Sequence, residues 1–133
     1  MKNKLILTLL TIVILFSALS CTNPKIDDSP LLNNINSIEI NPHSESKIVY
    51  EKDNNPEEIM EFITAYNEAN PTDDSLGTTH SNTIIINYSN GERVIVLGGT
   101  QNFQTVISGE KQFNIQGDKL WDYFKRLHKQ FYW

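Results

Sequence analysis

Few side chains in this chain of 133 residues can do chemistry: one thiol, Cys21; three imidazoles, His43, His80 and His128; and sixteen carboxylates. Asp73, Asp74 and His80 form the nearest approach to a metal-ligand cluster, within the segment PTDDSLGTTHSN. No second histidine follows at the two- to five-residue spacing of a metal site, and zinc needs three or four ligands of this kind. Asp27-Asp28 falls short of calcium for the same reason, because that ion wants six to eight oxygens. Nucleophilic catalysis by serine needs a base held by a third group, and no G-x-S-x-G or similar signature accompanies the scattered histidines. A carboxylate pair of the kind that hydrolyses glycosides stays open, since any two of the acids can meet in space. These residue types imply a non-enzymatic protein with no metal and no cofactor.

Cys21 is different, because of what precedes it. Lys2 and Lys4 begin the chain with positive charge, Leu5 to Leu19 form an apolar run broken only by Thr and Ser, and Ala18-Leu19-Ser20 brings small residues up to the thiol. The run is shorter than the roughly 20 residues that cross a bilayer, so residues 1–20 read as a secretory signal. The ending resembles the lipobox of bacterial lipoproteins, with Ala18 and Ser20 at positions where Leu and Gly or Ala are commoner. That resemblance implies cleavage before Cys21, a diacylglyceryl group on its sulfur, and a domain held at the outer face of the cell membrane. Two acyl chains, at about 0.8 kcal/mol per buried CH₂, anchor without a basic patch.

Cleavage removes two lysines, lowering Lys+Arg from 11 to 9 against 16 Asp+Glu, so the formal charge moves from -5 to -7. A surface this acidic does not draw nucleic acid. The expected partners are the membrane, through the lipid on Cys21, and a protein of the cell envelope. Residues 21–36, with two prolines, paired acids and four asparagines in TNPKIDDSPLLNNIN, read as the lipidated cysteine and a flexible linker. Residues 37–133 then form one domain, whose stability must come from an apolar core because no second cysteine is available.

Hydrophobic periodicity places the elements of that domain. Ser37 to Asn41 alternates apolar and polar, and Lys47 to Glu51 gives a second short strand. Asn55-Pro56-Glu57-Glu58 starts a helix, with Asn55 as cap, Glu58 completing a capping box and acids in the first turn. Ile59, Phe62, Ile63 and Tyr66 make its apolar stripe, and Asn70-Pro71 ends it. The dozen residues Pro71 to Asn82 are long for a loop and therefore a candidate for function. An Asn-Gly turn at Asn90-Gly91 predicts a two-residue hairpin with Ile84 opposite Leu97 and Ile86 opposite Ile95. Ile85 and Val96 then share the other face, so apolar residues lie on both sides of the sheet. Gly98-Gly99 has no P-loop lysine after it and reads as a turn. Gly109-Glu110 predicts a type II′ hairpin that pairs Val106 with Phe113. A last helix opens at Asp118 and buries Leu120, Tyr123, Phe124, Leu127 and Phe131. Its end, Phe131-Tyr132-Trp133, offers either a packed terminus or an aromatic contact patch.

The order β-β-α-β-β-β-β-α predicts an α+β fold: an antiparallel sheet of about five to six strands, with two helices packed mainly on one face. Taken together, the signal, acidic linker, NPEE helix start, NG and GE hairpins and aromatic last helix are similar to small lipoproteins of Bacillus and related Gram-positive bacteria. The resemblance implies lipidation at Cys21 and brings no catalytic residues. Two functions follow as expectations: a protein-interaction module using the two-faced sheet or the loop at Pro71, or a small-ligand or ion-binding module with a pocket between sheet and helix.

Overall fold

The computed structural model describes residues 32–41, 43–73, 82–98 and 102–132. The signal segment, Cys21, Asp74, His80 and Trp133 lie outside the described residues. The fold is α+β, with seven strands in one antiparallel sheet ordered β2-β1-β4-β5-β6-β7-β3. The strands are β1 (Ile35–Ile40), β2 (Ile48–Glu51), β3 (Asn70–Thr72), β4 (Asn82–Tyr88), β5 (Arg93–Gly98), β6 (Gln104–Ser108) and β7 (Lys111–Gln116). Helix α1 (Pro56–Asn67) follows β2 and helix α2 (Asp118–Tyr132) follows β7.

The folded part begins earlier than composition implied. Leu32–Asn34 form a 3-10 turn and Ile35 opens β1 with no exposed surface, so the linker does not extend to residue 36. Asn70–Thr72 pair with β7 as a seventh strand instead of starting a loop. A three-residue strand with a central proline carries no pattern that a period-2 reading detects. Pro71 is tolerated because β3 is an edge, where a missing donor costs no ladder bond.

The hairpin at Asn90-Gly91 is one residue longer than predicted. Tyr88 N–H donates to Glu92 O at 2.9 Å and Gly91 N–H to Tyr88 O at 3.0 Å, leaving a three-residue loop. Gly91 takes φ +88 while Asn90 stays out of the positive region, which is a type I turn ending in a left-handed glycine and not the mirror-image turn. The register therefore moves by one: Ile84 faces Val96, Ile86 faces Val94 and Ile85 faces Ile95. A one-residue slip exchanges sheet faces. Ile84, Ile86, Val94 and Val96 consequently share the core side, while Ile85, Ile95 and Leu97 turn away from it. The second hairpin keeps its predicted form. Ser108 pairs Lys111 across Gly109-Glu110, Val106 faces Phe113, and only Gly109 has positive φ, as a type II′ turn requires.

Both helices bury their predicted stripes. Ile59, Phe62, Ile63 and Tyr66 of α1 and Leu120, Tyr123, Phe124 and Leu127 of α2 join one cluster with the core-side isoleucines, and Phe131 packs against its margin. The Phe62 and Tyr123 rings meet at 5.3 Å across the helix pair. The helices run antiparallel, since Glu68 pairs with Lys119 at one end and Glu61 with Arg126 at the other. Gly98 permits their close approach to the sheet, because the Phe124 ring occupies the space that a Cβ would need. The caps differ from expectation. Asn55 precedes α1, but its side chain accepts the Glu51 N–H at 3.4 Å instead of capping the helix, and Pro56 supplies the start. Asp118 lies inside α2, where Trp121 N–H already bonds Gly117 O, and its carboxylate accepts from Asn102 Nδ2 at 3.3 Å.

Candidate functional site

Helices occupy one side of the sheet, so the other side is where chemistry or binding can meet solvent. Registers place Val49, Glu39, Ile85, Ile95, Ile107 and Gln112 in one row across six strands. A neighbouring row holds Thr83, Leu97, Thr105, Asn114 and Thr72. Ile85 is buried, Ile95, Leu97 and Ile107 are half-buried, and Val49 is 42% exposed. Four aliphatic side chains thus adjoin at the centre of a face that no described helix covers.

Polar groups frame this centre and are tied to one another. Asn87 Nδ2 donates to Ser37 Oγ at 3.0 Å and to Glu39 Oε1 at 2.7 Å, while its Oδ1 accepts from Arg93 Nε at 2.9 Å. Arg93 also lies 3.6 Å from Glu39. On the other flank Thr105 Oγ1 donates to Asn114 Oδ1 at 2.8 Å. Near it, Asn41, at φ 48, accepts the Thr83 N–H at 2.8 Å and donates to Asn82 Oδ1 at 2.9 Å. Both hydrogens and the oxygen of the Asn87 amide are engaged, so this cluster fixes strand positions and holds no poised nucleophile.

A second concavity, a groove of about 1050 Å³, runs along the outer side of the helix pair. Met60 and Trp121 give it apolar surface, and Met60 is 44% exposed. Three of its cations are paired: Lys119 with Glu68 at 2.7 Å, Lys125 with Asp122 at 2.6 Å and Arg126 with Glu61 at 2.5 Å. Lys125 also sits over the Trp121 ring at 5.6 Å and Arg126 over Tyr123 at 5.4 Å. Beneath the groove, burial raises the Tyr123 phenol well above its usual range, with Tyr50 and Glu61 adding to it against the opposing effect of Arg126. Burial also raises Tyr50, which Glu58 and Glu61 reinforce. Both rings stay protonated at neutral pH.

Of the residues singled out by type, those described stand apart. Asp73 is exposed just after β3, His43 is exposed in the turn after β1, and His128 is exposed on α2. Among the described residues no three of His, Cys, Asp and Glu stand close enough to hold a metal ion. Also among them, no helix is long and apolar enough to cross a membrane. The sequence reading missed Gln104, a core-side residue opposite Ile115 with no exposed surface and no partner for either amide atom among the described residues. A polar residue at an inward position of β6 was the available signal. What the described residues define is an α+β domain with one sheet face under the helices and one that no described helix covers. The chain matches no family model, and neither curated proteins nor solved structures give a match.

Proposed function

We propose that this chain is a lipoprotein held by a lipid on Cys21 at the outer face of the cell membrane, and that its domain is a non-enzymatic module binding an envelope protein through the open sheet face. The observation that carries the binding reading is the adjoining half-buried set Ile95, Leu97 and Ile107, beside the buried Ile85, on the side that no described helix covers. Contiguous apolar surface rimmed by polar groups is characteristic of partner sites. The export reading rests on the charged start, the apolar run and the small residues before Cys21. Cys21→Ala is expected to release the protein from the membrane fraction or to leave an unprocessed precursor. Unchanged mass together with unchanged membrane association overturns the anchor. In-cell crosslinking followed by mass spectrometry tests the partner: one dominant adduct, lost with Ile95→Lys or Ile107→Lys in a folded protein, supports the open face. An adduct indifferent to both substitutions refutes it.

The groove along α1 and α2 favours a second reading, a small-ligand-binding lipoprotein, because its size suits a small molecule and Met60 and Trp121 give it apolar surface. It lies outside the helices and not between helix and sheet, where a pocket was expected. Ligand-dependent change in Trp121 fluorescence, abolished by Met60→Lys, distinguishes this reading from the first.

A further inference from the structure

Strand β2 ends the sheet on one side, and its backbone pairing shows which groups face outward. Lys52 N–H bonds Asn36 O and Asn41 N–H bonds Thr83 O, so even-numbered residues of β1 bond to β2 and odd-numbered ones to β4. In an antiparallel pair the bonded residues alternate. Ile48, Tyr50 and Lys52 therefore bond inward, while Val49 and Glu51 direct their N–H and C=O away from the sheet. Glu51 is satisfied locally: its O accepts from Asn54 and Asn55 N–H, and its N–H reaches Asn55 Oδ1. Lys47 N–H bonds Ser44 O. Within β2 only Val49 has both outward backbone groups unused among the described residues, and its side chain is one of two large apolar ones exposed among them.

We propose that two copies of this chain pair through β2, antiparallel about a two-fold axis at Val49. In that register Val49 exchanges both backbone bonds with Val49 of the second copy. Two residues away on the open face, Lys47 stands opposite Glu51 of the second copy, and the symmetry makes this ion pair twice. On the helix side, Ile48 meets Tyr50 of the second copy, extending a surface on which both are already half-buried. Centring the axis between Val49 and Tyr50 would instead set Lys47 against Lys52. The contact is self-complementary, as a closed dimer requires. Two four-residue strands bury far less than the roughly 1,600 Å² of a standard interface, so the dimer is weak in dilute solution and forms where copies are concentrated on a shared surface. This pairing uses the edge and leaves the open face free for another protein.

The test uses the full-length chain with Cys21 kept, because on the reading proposed above its sulfur is a thioether that concentrates copies at the membrane, so that Val49→Cys adds the one oxidisable thiol per copy. A bonded antiparallel pair holds facing Cα atoms about 5.5 Å apart, within the range of about 4.4–6.8 Å that a disulfide spans. Mild oxidation in cells is expected to give at least about tenfold more dimer on a non-reducing gel from Val49→Cys than from Thr64→Cys on the outer side of α1. Adding Lys47→Glu to Val49→Cys sets like charges against each other and is expected to cut the yield about tenfold. Adding Glu51→Lys as well restores it. Equal yields at the two cysteine positions, a disulfide from the Val49→Cys chain to a different protein, or failure of the double exchange to restore dimer each overturn the proposal.

Discussion

Replacing Gln104 with Met is expected to stabilise the domain. Gln104 lies on β6 between Gly98 and Ile115, on the side covered by the helices, and both its side-chain nitrogen and oxygen are buried without a partner among the described residues. A buried polar group left unsatisfied costs about 1–3 kcal/mol. Methionine fills nearly the same volume with a flexible apolar chain, and such a swap costs under about 1.5 kcal/mol in packing. The net expectation is a gain of about 1 kcal/mol, which for a domain of this size raises Tm by roughly 4–8 °C. Thermal unfolding followed by circular dichroism measures it, with chemical denaturation checking that the slope is unchanged. Gln104→Glu is the companion: it places a carboxylate in the same apolar surroundings and is expected to destabilise the fold at neutral pH by several kcal/mol, less so on acidification. A Tm that falls by several degrees in Gln104→Met would show that the amide is fully hydrogen-bonded, and would refute the reasoning.

Gly98→Ala is expected to cost about 1–3 kcal/mol, read as a lower denaturation midpoint, because the new methyl group meets the Phe124 ring. Asn41→Ala should cost about 1–2 kcal/mol, since alanine loses the bonds to Thr83 and Asn82 and is strained at φ 48, whereas Asn41→Gly should lose only the bonds. Tyr123 keeps its proton in the fold above the ordinary phenol value of 10.0, so unfolded chains lose that proton first as pH rises. Its contribution is fully present below pH 10.0 and falls away above it, and Tyr123→Phe should flatten a plot of stability against pH in that alkaline range.

The parts of the fold that could be read from sequence are those where one local rule acts alone. Ile59, Phe62, Ile63 and Tyr66 recur at helical spacing and all turn inward. Gly109-Glu110 sits where a glycine must come first in its turn, and the β6–β7 register follows. Asn90-Gly91 misled because the same dipeptide serves two turns that differ by one residue. Tyr88 and Glu92 decide between them by closing the longer loop, and that choice reverses which isoleucines face the helices. Ile35 was hidden among asparagines, and its burial depends on pairing with Tyr88, far along the chain. The same limits applied to the candidate site. Apolar residues on both faces of β4 and β5 were visible, but the row Ile85, Ile95 and Ile107 exists only in the true register. Gln104 shares the Val106 side of β6 in the register that the sequence predicts, so its inward position was legible there, whereas its want of a partner depends on the packing around it.

Helix α1 joins β2 to β3, the two outermost strands on opposite sides of the sheet. Its 12 residues span about 18 Å. Seven strands measure about 29 Å across, so the short segments at either end of the helix complete the crossing. Edge strands ordinarily fray independently, and their amides exchange with solvent long before those of the centre. Here neither edge can peel far without drawing α1 off the core, and α1 carries Phe62, Ile59 and Ile63 with it. Hydrogen exchange at Tyr50 on one edge and Thr72 on the other should therefore slow together in any variant that strengthens the helix, as two ends of one cooperative unit.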